Sequence, residues 1–476
     1  MIKKSPTGTT FEATPLNFLE SARQPKLKHL LSHSPLAYRL LVVMMAFVLP
    51  AMPLHAEDLM QAYTLAKASD PSVRASRLEY QAVAFGIDEA RGGFLPQISA
   101  GYSKTRTSQD ILQSQNAVFA TGSSTYPQTD LGLSLTQPIF RLAAWRRFDQ
   151  AKASERMAAA TLAAAEQDLI IRTATAYVGV LAAQNTLTFA QTERDSIQNQ
   201  LTLAKLKYES GQATIVNLRD AEARSALNES GLVTGQNDLD DKIQGLRQIT
   251  GKVISDLTPL SDRFALVSPD PLDLSQWVSG AQDQNFGIRM RIEAVEVART
   301  EISKQKAAYA PTLDLMLTND KNDTGGSLFG GGSKVRTNNI MLRLNIPIYD
   351  GGVTSAVTHA AAKRHEASEE ELDLERRLVE RQTRAAYQGI VGGIQRIAAL
   401  NKSVNSLEAA RRLKEEGYRA GLFTVLGVLD AERDLYAVKR DAAQARYDYV
   451  LNRLKLKQAA GTLDEQDLML VTLPAQ

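Results

Sequence analysis

The sequence contains no cysteine. A disulfide framework, a thiolate metal site, a cysteine nucleophile and a lipid-acceptor thiol are therefore excluded together. Histidine is nearly as scarce: beyond residue 56 only His359 and His365 remain, too few for an imidazole-rich metal centre. No glycine loop shaped for phosphate and no nucleophile elbow occurs. Neither catalytic residues, nor a metal, nor a cofactor is expected. An excess of one charge is also missing. The formal net charge is +2, and the surplus cations lie in the first 56 residues, so nucleic acid is not an expected partner. Finally, no apolar run reaches the ~20 residues of a membrane-spanning helix. The uncharged stretch Leu40–Leu54 is interrupted by Pro50 and Pro53.

That stretch follows a basic segment ending at Arg39 and leads to the small residue Ala56. It predicts a signal peptide over 1–56, with a long n-region, and an exported chain that opens at Glu57.

What is present is a chain written twice. Asp70-Pro-Ser-Val-Arg74, leading to Phe94-Leu95-Pro96, returns 215 residues later as Asn285-Phe-Gly-Ile-Arg289, leading to Tyr309-Ala310-Pro311. Gln137-Pro138-Ile139-Phe140 returns as Ile346-Pro347-Ile348-Tyr349. Tyr208-Glu-Ser-Gly211 and Asp220-Ala221-Glu222-Ala223 return 210 residues later as Tyr418-Arg-Ala-Gly421 and Asp430-Ala431-Glu432-Arg433. Two homologous halves follow, 57–273 and 274–476. The first predicts strands near 97–106 and 129–138, a long helix near 141–208, a second near 214–250 and a connector over 251–273. The second predicts strands near 311–319 and 339–348, helices near 352–417 and 424–460, and a C-terminal tail.

Residues 141–208 are alanine-rich, lack proline and hold one glycine, Gly179. A single helix of that extent would run roughly 100 Å. Leu218, Ser225, Leu232, Leu239 and Leu246 are spaced by seven, and Val428, Leu435, Ala442, Tyr449 and Leu456 keep that spacing in the second half. Such a repeat favours left-handed coiling of paired helices.

Four segments alternate strictly. Ile98, Ala100 and Tyr102 share one face, as do Leu131, Leu133 and Leu135; Leu313, Leu315 and Leu317; and Ile340, Leu342, Leu344 and Ile346. The opposite face carries Asp314, Arg343 and Asn345, which suit a wet lumen and not a protein core. Between the strands, 104–129 and 319–339 are polar and read as long outward loops. Pro96, Pro138, Pro311 and Pro347 fall at the four helix–strand junctions. Four strands cannot close a membrane barrel, in which every edge must be paired, so more than one chain must contribute.

The stretch Glu416-Gly-Tyr-Arg-Ala-Gly-Leu-Phe-Thr-Val-Leu-Gly-Val-Leu-Asp430-Ala431, followed by Ala445-Arg-Tyr-Asp-Tyr-Val-Leu-Asn452 and Gly461-Thr-Leu-Asp-Glu-Gln-Asp-Leu468, resembles the TolC family of outer-membrane factors. Leu246-Arg-Gln-Ile-Thr-Gly251 resembles it too, and the likeness runs from about residue 57 to the C-terminus. The resemblance implies a mixed membrane protein. Three chains of four strands would make a 12-stranded outer-membrane β-barrel, continued by a periplasmic α-helical coiled-coil barrel. It implies an exit duct for drug efflux or type I secretion, partnered by a periplasmic adaptor and an inner-membrane pump of proton-driven or ABC type. Without a cysteine the chain sits nearer the unlipidated branch. Family members close their periplasmic tip with two aspartate rings; the inner position falls on Asp430, and the other falls on Gly427, which departs from the pattern. Three Asp430 carboxylates would form an anionic ring favouring cations. The family's closed-state latch maps onto Glu209 and Tyr418, while Phe423 stands where an arginine would be. Two other readings use the same helices: a periplasmic adaptor, which has one coiled hairpin and an inner-membrane anchor, and an envelope coiled-coil scaffold, which needs no detergent.

Overall fold

The computed structural model describes residues 57–113, 122–254, 256–260, 265–326 and 331–472. The expected signal peptide lies outside them.

Each half opens with two helices joined at one capping residue. Helix α1 (Leu59–Ser69) starts on a reciprocal cap between Asp58 and Gln61, and α2 (Pro71–Gly92) starts where the Asp70 side chain accepts the Val73 N–H at 2.9 Å. In the second half α5 (Leu274–Gln284) gives way to α6 (Phe286–Lys306), and there Asn285 accepts the Ile288 N–H at 3.1 Å. The two caps are the positions paired in the sequence repeat.

The remaining helices are α3 (Leu142–Glu209, 68 residues), α4 (Ile215–Thr250), α7 (Val353–Arg419, 67 residues), α8 (Val425–Ala459) and the short α9 (Gln466–Thr472). At about 1.5 Å per residue, α3 and α7 each span roughly 100 Å. The turns α3–α4 and α7–α8 depend on Gly211 and Gly421, both at positive φ, which lets the chain reverse without a Cβ clash. Across the seven-residue series, all five residues on α8 are buried, whereas on α4 only Leu218 and Leu246 are. The main core lies between α3, α7 and α8, around Tyr177, Leu169, Ile390, Ile397 and Leu454.

The connector 251–273 is strapped across that core by tyrosines. The Tyr177 hydroxyl lies 3.0 Å from the Glu57 carbonyl and 2.8 Å from that of Thr258. Its repeat counterpart Tyr387 donates to the Leu272 carbonyl. Trp277 Nε1 donates to the Pro271 carbonyl at 2.8 Å.

The sheet is antiparallel in the order β1 (Gln97–Ile111), β2 (Gly122–Arg141), β3 (Thr312–Thr324), β4 (Ser333–Asn345). Three sequence expectations need correction here. Most of 104–129 and 319–339 is strand and not loop, because Thr, Ser and Asn pair across a ladder as well as apolar residues do. Pro138 lies inside β2, opposite Asp314, at a register shift before Phe140 that accommodates its missing N–H. Strand β4 ends at Asn345, so Ile346 and Ile348 fall in the following coil.

Candidate functional site

The register places the apolar residues on one face. Ile98, Ala100 and Tyr102 stand opposite Leu135, Leu133 and Leu131, Leu135 opposite Leu317, and Leu313, Leu315 and Leu317 opposite Leu344, Leu342 and Ile340. None of the described helices covers this face: Ile340 is 81% and Leu342 65% exposed. Uncovered aliphatic side chains in such a row demand a non-aqueous neighbour. The same face turns polar farther along each strand, at Lys104 opposite Thr129 and at Asn319 opposite Asn338, although Asn319 still faces Leu133 on β2. Beyond those positions the strands are mostly polar on both sides. The outer edges of β1 and β4 have no partner strand among the described residues. Nor is any described helix long and apolar enough to cross a membrane.

The opposite face is a hydrogen-bonded polar surface. Ser99 and Ser134 are 2.7 Å apart, and Asp130 accepts from Ser103 at 3.2 Å and from Asn322 at 2.5 Å. At its foot Asp314 accepts two hydrogen bonds from Arg141, each 2.9 Å, and lies opposite Arg343 in the ladder. Arg343 and Asn345 are exposed. Asp314 is mostly buried and its carboxylate is forked by Arg141.

At the far end of the long helices the other predicted residues lie around the two turns, Glu209 at α3–α4 and Tyr418, Phe423, Gly427 and Asp430 at α7–α8. Gly427 donates its N–H to the capping Thr424 hydroxyl at 3.2 Å. The Asp430 carboxylate is not free. Arg224 Nη2 of α4 reaches it at 2.9 Å and Arg433 at 3.4 Å. Glu209 is exposed and is not brought to Tyr418 within the chain. Tyr418 instead meets a cation: Lys207 Nζ lies 4.0 Å above its ring and donates to its carbonyl at 3.2 Å. Its buried hydroxyl has no hydrogen-bond partner, and burial raises its pKa. The Phe423 ring packs against Gly417, whose missing Cβ makes the room.

Sequence reasoning missed a buried carboxylate pair one turn deeper. Glu432 is 1% exposed, accepts from the Ser196 hydroxyl and lies 3.8 Å from Arg411, while its second oxygen has no partner. Glu193 lies 3.7 Å from Arg440. Burial raises the pKa of both acids despite those guanidiniums. A signal did exist: Glu432 falls four residues after Val428 and three before Leu435, on the stripe that must be buried. No group of described side chains could hold a metal ion.

Comparison with known proteins agrees with this geometry. A family model described as outer membrane efflux protein matches residues 62–252 and 277–462, one span in each half. The chain is 31% identical over 428 residues to the outer membrane protein TolC of Escherichia coli (strain K12), covering 87% of this chain and 84% of that one. It is 29% identical over 417 residues to the proteases secretion protein PrtF of Dickeya chrysanthemi, covering 87% and 90%. The Campylobacter jejuni CmeC outer membrane channel superposes with a TM-score of 0.73 over 86% of each chain, at 15% identity.

Proposed function

Because the chain belongs to the outer membrane efflux protein family, we propose that three copies pool their strands into one 12-stranded barrel and conduct cargo passively from the periplasm to the exterior. It is an outer-membrane efflux or secretion channel, and the barrel is the part that lipid surrounds. One observation carries the reading: among the described residues, a four-stranded sheet has an uncovered apolar face, a hydrogen-bonded polar face and two unpaired edges. Lipid against the first, water against the second and neighbouring copies at the edges satisfy all three. An adaptor or a soluble scaffold has no use for such a sheet.

The long helices then continue the duct across the periplasm, where a periplasmic adaptor and an inner-membrane pump of proton-driven or ABC type supply the energy. No catalytic step and no cofactor is needed. The repeated turns form the periplasmic end, with the aperture around Asp430 and Gly427. The tie that holds it shut runs through Lys207 on Tyr418, with Glu209 turned to solvent and Phe423 packed on Gly417. Opening is a repacking of α7 and α8 against α3 and α4, biased by contacts at the exposed turns. Cargo is either small toxic molecules or unfolded polypeptide; the Dickeya relative is named for the secretion of proteases.

The test is reconstitution. The processed chain, extracted in detergent, is expected to run as a trimer and to give discrete conductance steps in planar bilayers. A stable monomer in plain buffer would defeat the reading.

A further inference from the structure

We propose that Arg224 sets the ion preference of the periplasmic aperture by neutralising Asp430, so that the constriction is ringed by guanidinium–carboxylate pairs and not by free carboxylates. The inference rests on the reading that places Asp430 at that aperture.

Arg224 lies on α4, in the first half, and Asp430 on α8, in the second, 206 residues apart. Their side chains meet at 2.9 Å, with Arg224 22% and Asp430 38% exposed. Arg433 approaches the same carboxylate oxygen at 3.4 Å, yet it is 49% exposed and also bonds Asp434 at 2.8 Å. Arg224 is the less exposed of the two guanidiniums, and its charge also favours the ionised form of the buried Glu193. It is therefore the one held in place. On α8 Arg433 and Asp434 bond each other, and on α4 Arg219 pairs with Glu222, so Arg224 is the α4 cation that meets Asp430. Further inside, Glu193 faces Arg440 and Glu432 faces Arg411.

A lone carboxylate at a narrow opening acts on a passing ion as a monopole. A carboxylate joined to a guanidinium acts as a short dipole whose field fades within a few ångströms. Three such pairs leave little net charge at the constriction. The repeat explains why the arginine is not duplicated: the position equivalent to Arg224 in the second half is Asp434. The pair exists because the two halves differ there.

The experiment uses the full trimer in planar bilayers under a potassium chloride gradient, reading the potassium-to-chloride permeability ratio from the reversal potential. The wild type is expected near unity. R224Q is expected to raise the ratio at least about fivefold, the effect on the cation alone of one charge worth ~1 kcal/mol at 4 Å in water. R224K, which keeps the charge, is expected to stay near the wild-type ratio. D430N is expected to move the ratio the other way. The charge-swapped R224D/D430R chain rebuilds the pair and is expected to return to the wild-type ratio, which also serves should R224Q fail to assemble. A ratio unchanged in R224Q while D430N shifts it overturns the role of Arg224 and leaves the aperture where it is. Ratios unchanged in both, with conductance intact, overturn the aperture placement and the inference with it. An equal shift in R224K and R224Q overturns charge as the cause.

Discussion

Tyr449 and Val267 form a closed two-bond clamp: the tyrosine hydroxyl accepts the Val267 N–H at 2.8 Å and lies 2.8 Å from the Val267 carbonyl. Tyr449 is fully buried on α8, and Val267 belongs to the connector between the halves. One side chain thus satisfies both backbone groups of a residue that has no ladder of its own.

Removing that hydroxyl leaves the connector unfastened at one point. Y449F is expected to lower the unfolding free energy by about 1–3 kcal/mol, the cost of a backbone donor left without its partner. Limited proteolysis checks it: cleavage within 255–270 is expected to quicken in Y449F, and an unchanged rate would show the clamp to be idle.

Acid should act on the first half through Asp70. That carboxyl is 3% exposed; burial opposes its ionisation, but hydrogen bonds from Arg172 and from the Val73 N–H outweigh this and lower its pKa. A lowered pKa adds stability above the unfolded-state value, and that share is lost as pH falls through the folded one. D70N keeps the cap, as Asn285 does in the other half, and removes the pair. It is expected to cost about 1–2 kcal/mol at neutral pH, part of a buried pair's worth because Arg172 is a third exposed. Thermal unfolding between about pH 5 and pH 3 is expected to be flatter in D70N than in wild type.

Glu193 and Glu432 carry the opposite sign. Burial raises both, so the folded chain holds their protons more tightly than the unfolded one. Their contribution is fully present below the ordinary glutamate range and is lost as pH rises through the raised values. E432Q cannot ionise and is expected to unfold at a higher temperature than wild type at neutral pH, with the difference closing in acid. Parallel curves for the two chains would remove Glu432 as the source.

Two glycines at positive φ separate conformational cost from crowding. Gly211 has open space around its missing Cβ, whereas at Gly461 a Cβ would collide with the Gln284 carbonyl. G211A is expected to cost only the left-handed penalty, about 1–2 kcal/mol. G461A must also displace the end of α5, and its melting temperature is expected to fall well below that of G211A.

The sheet offers a facing-residue test. L342R puts a charge on the uncovered apolar face and is expected to cost about 2–4 kcal/mol in the bilayer, depressing the yield of assembled protein in the outer membrane. N339R lies on the opposite face and is expected to assemble normally. Equal yields would mean that lipid does not lie against that side.

How far this could be read from residues alone follows from contrast. The lower strands alternate apolar with polar, so the period showed in Ile98–Tyr102 and Leu313–Leu317. Their upper parts, such as Lys321 opposite Arg336 and Asp323 beside Lys334, are polar on both faces and carry no such period. Pro138 read as a strand boundary because a bulge is not visible in a sequence. Asp430 and Tyr418 were singled out through the family resemblance, but Arg224 and Lys207 were not. Pairs that cross between the halves follow packing and not the internal likeness. It is Lys207, two residues before Glu209 and on another side of the helix, that contacts Tyr418 within the chain.

The bare edges of β1 and β4 also bear on inheritance. If a ring draws its subunits at random from one pool, a copy whose edge strand cannot pair spoils every ring it enters. A cell carrying one sound and one damaged gene would then retain only the minority of ducts built wholly from sound copies, so lesions at those two strands should behave as dominant, and lesions that merely prevent folding as recessive.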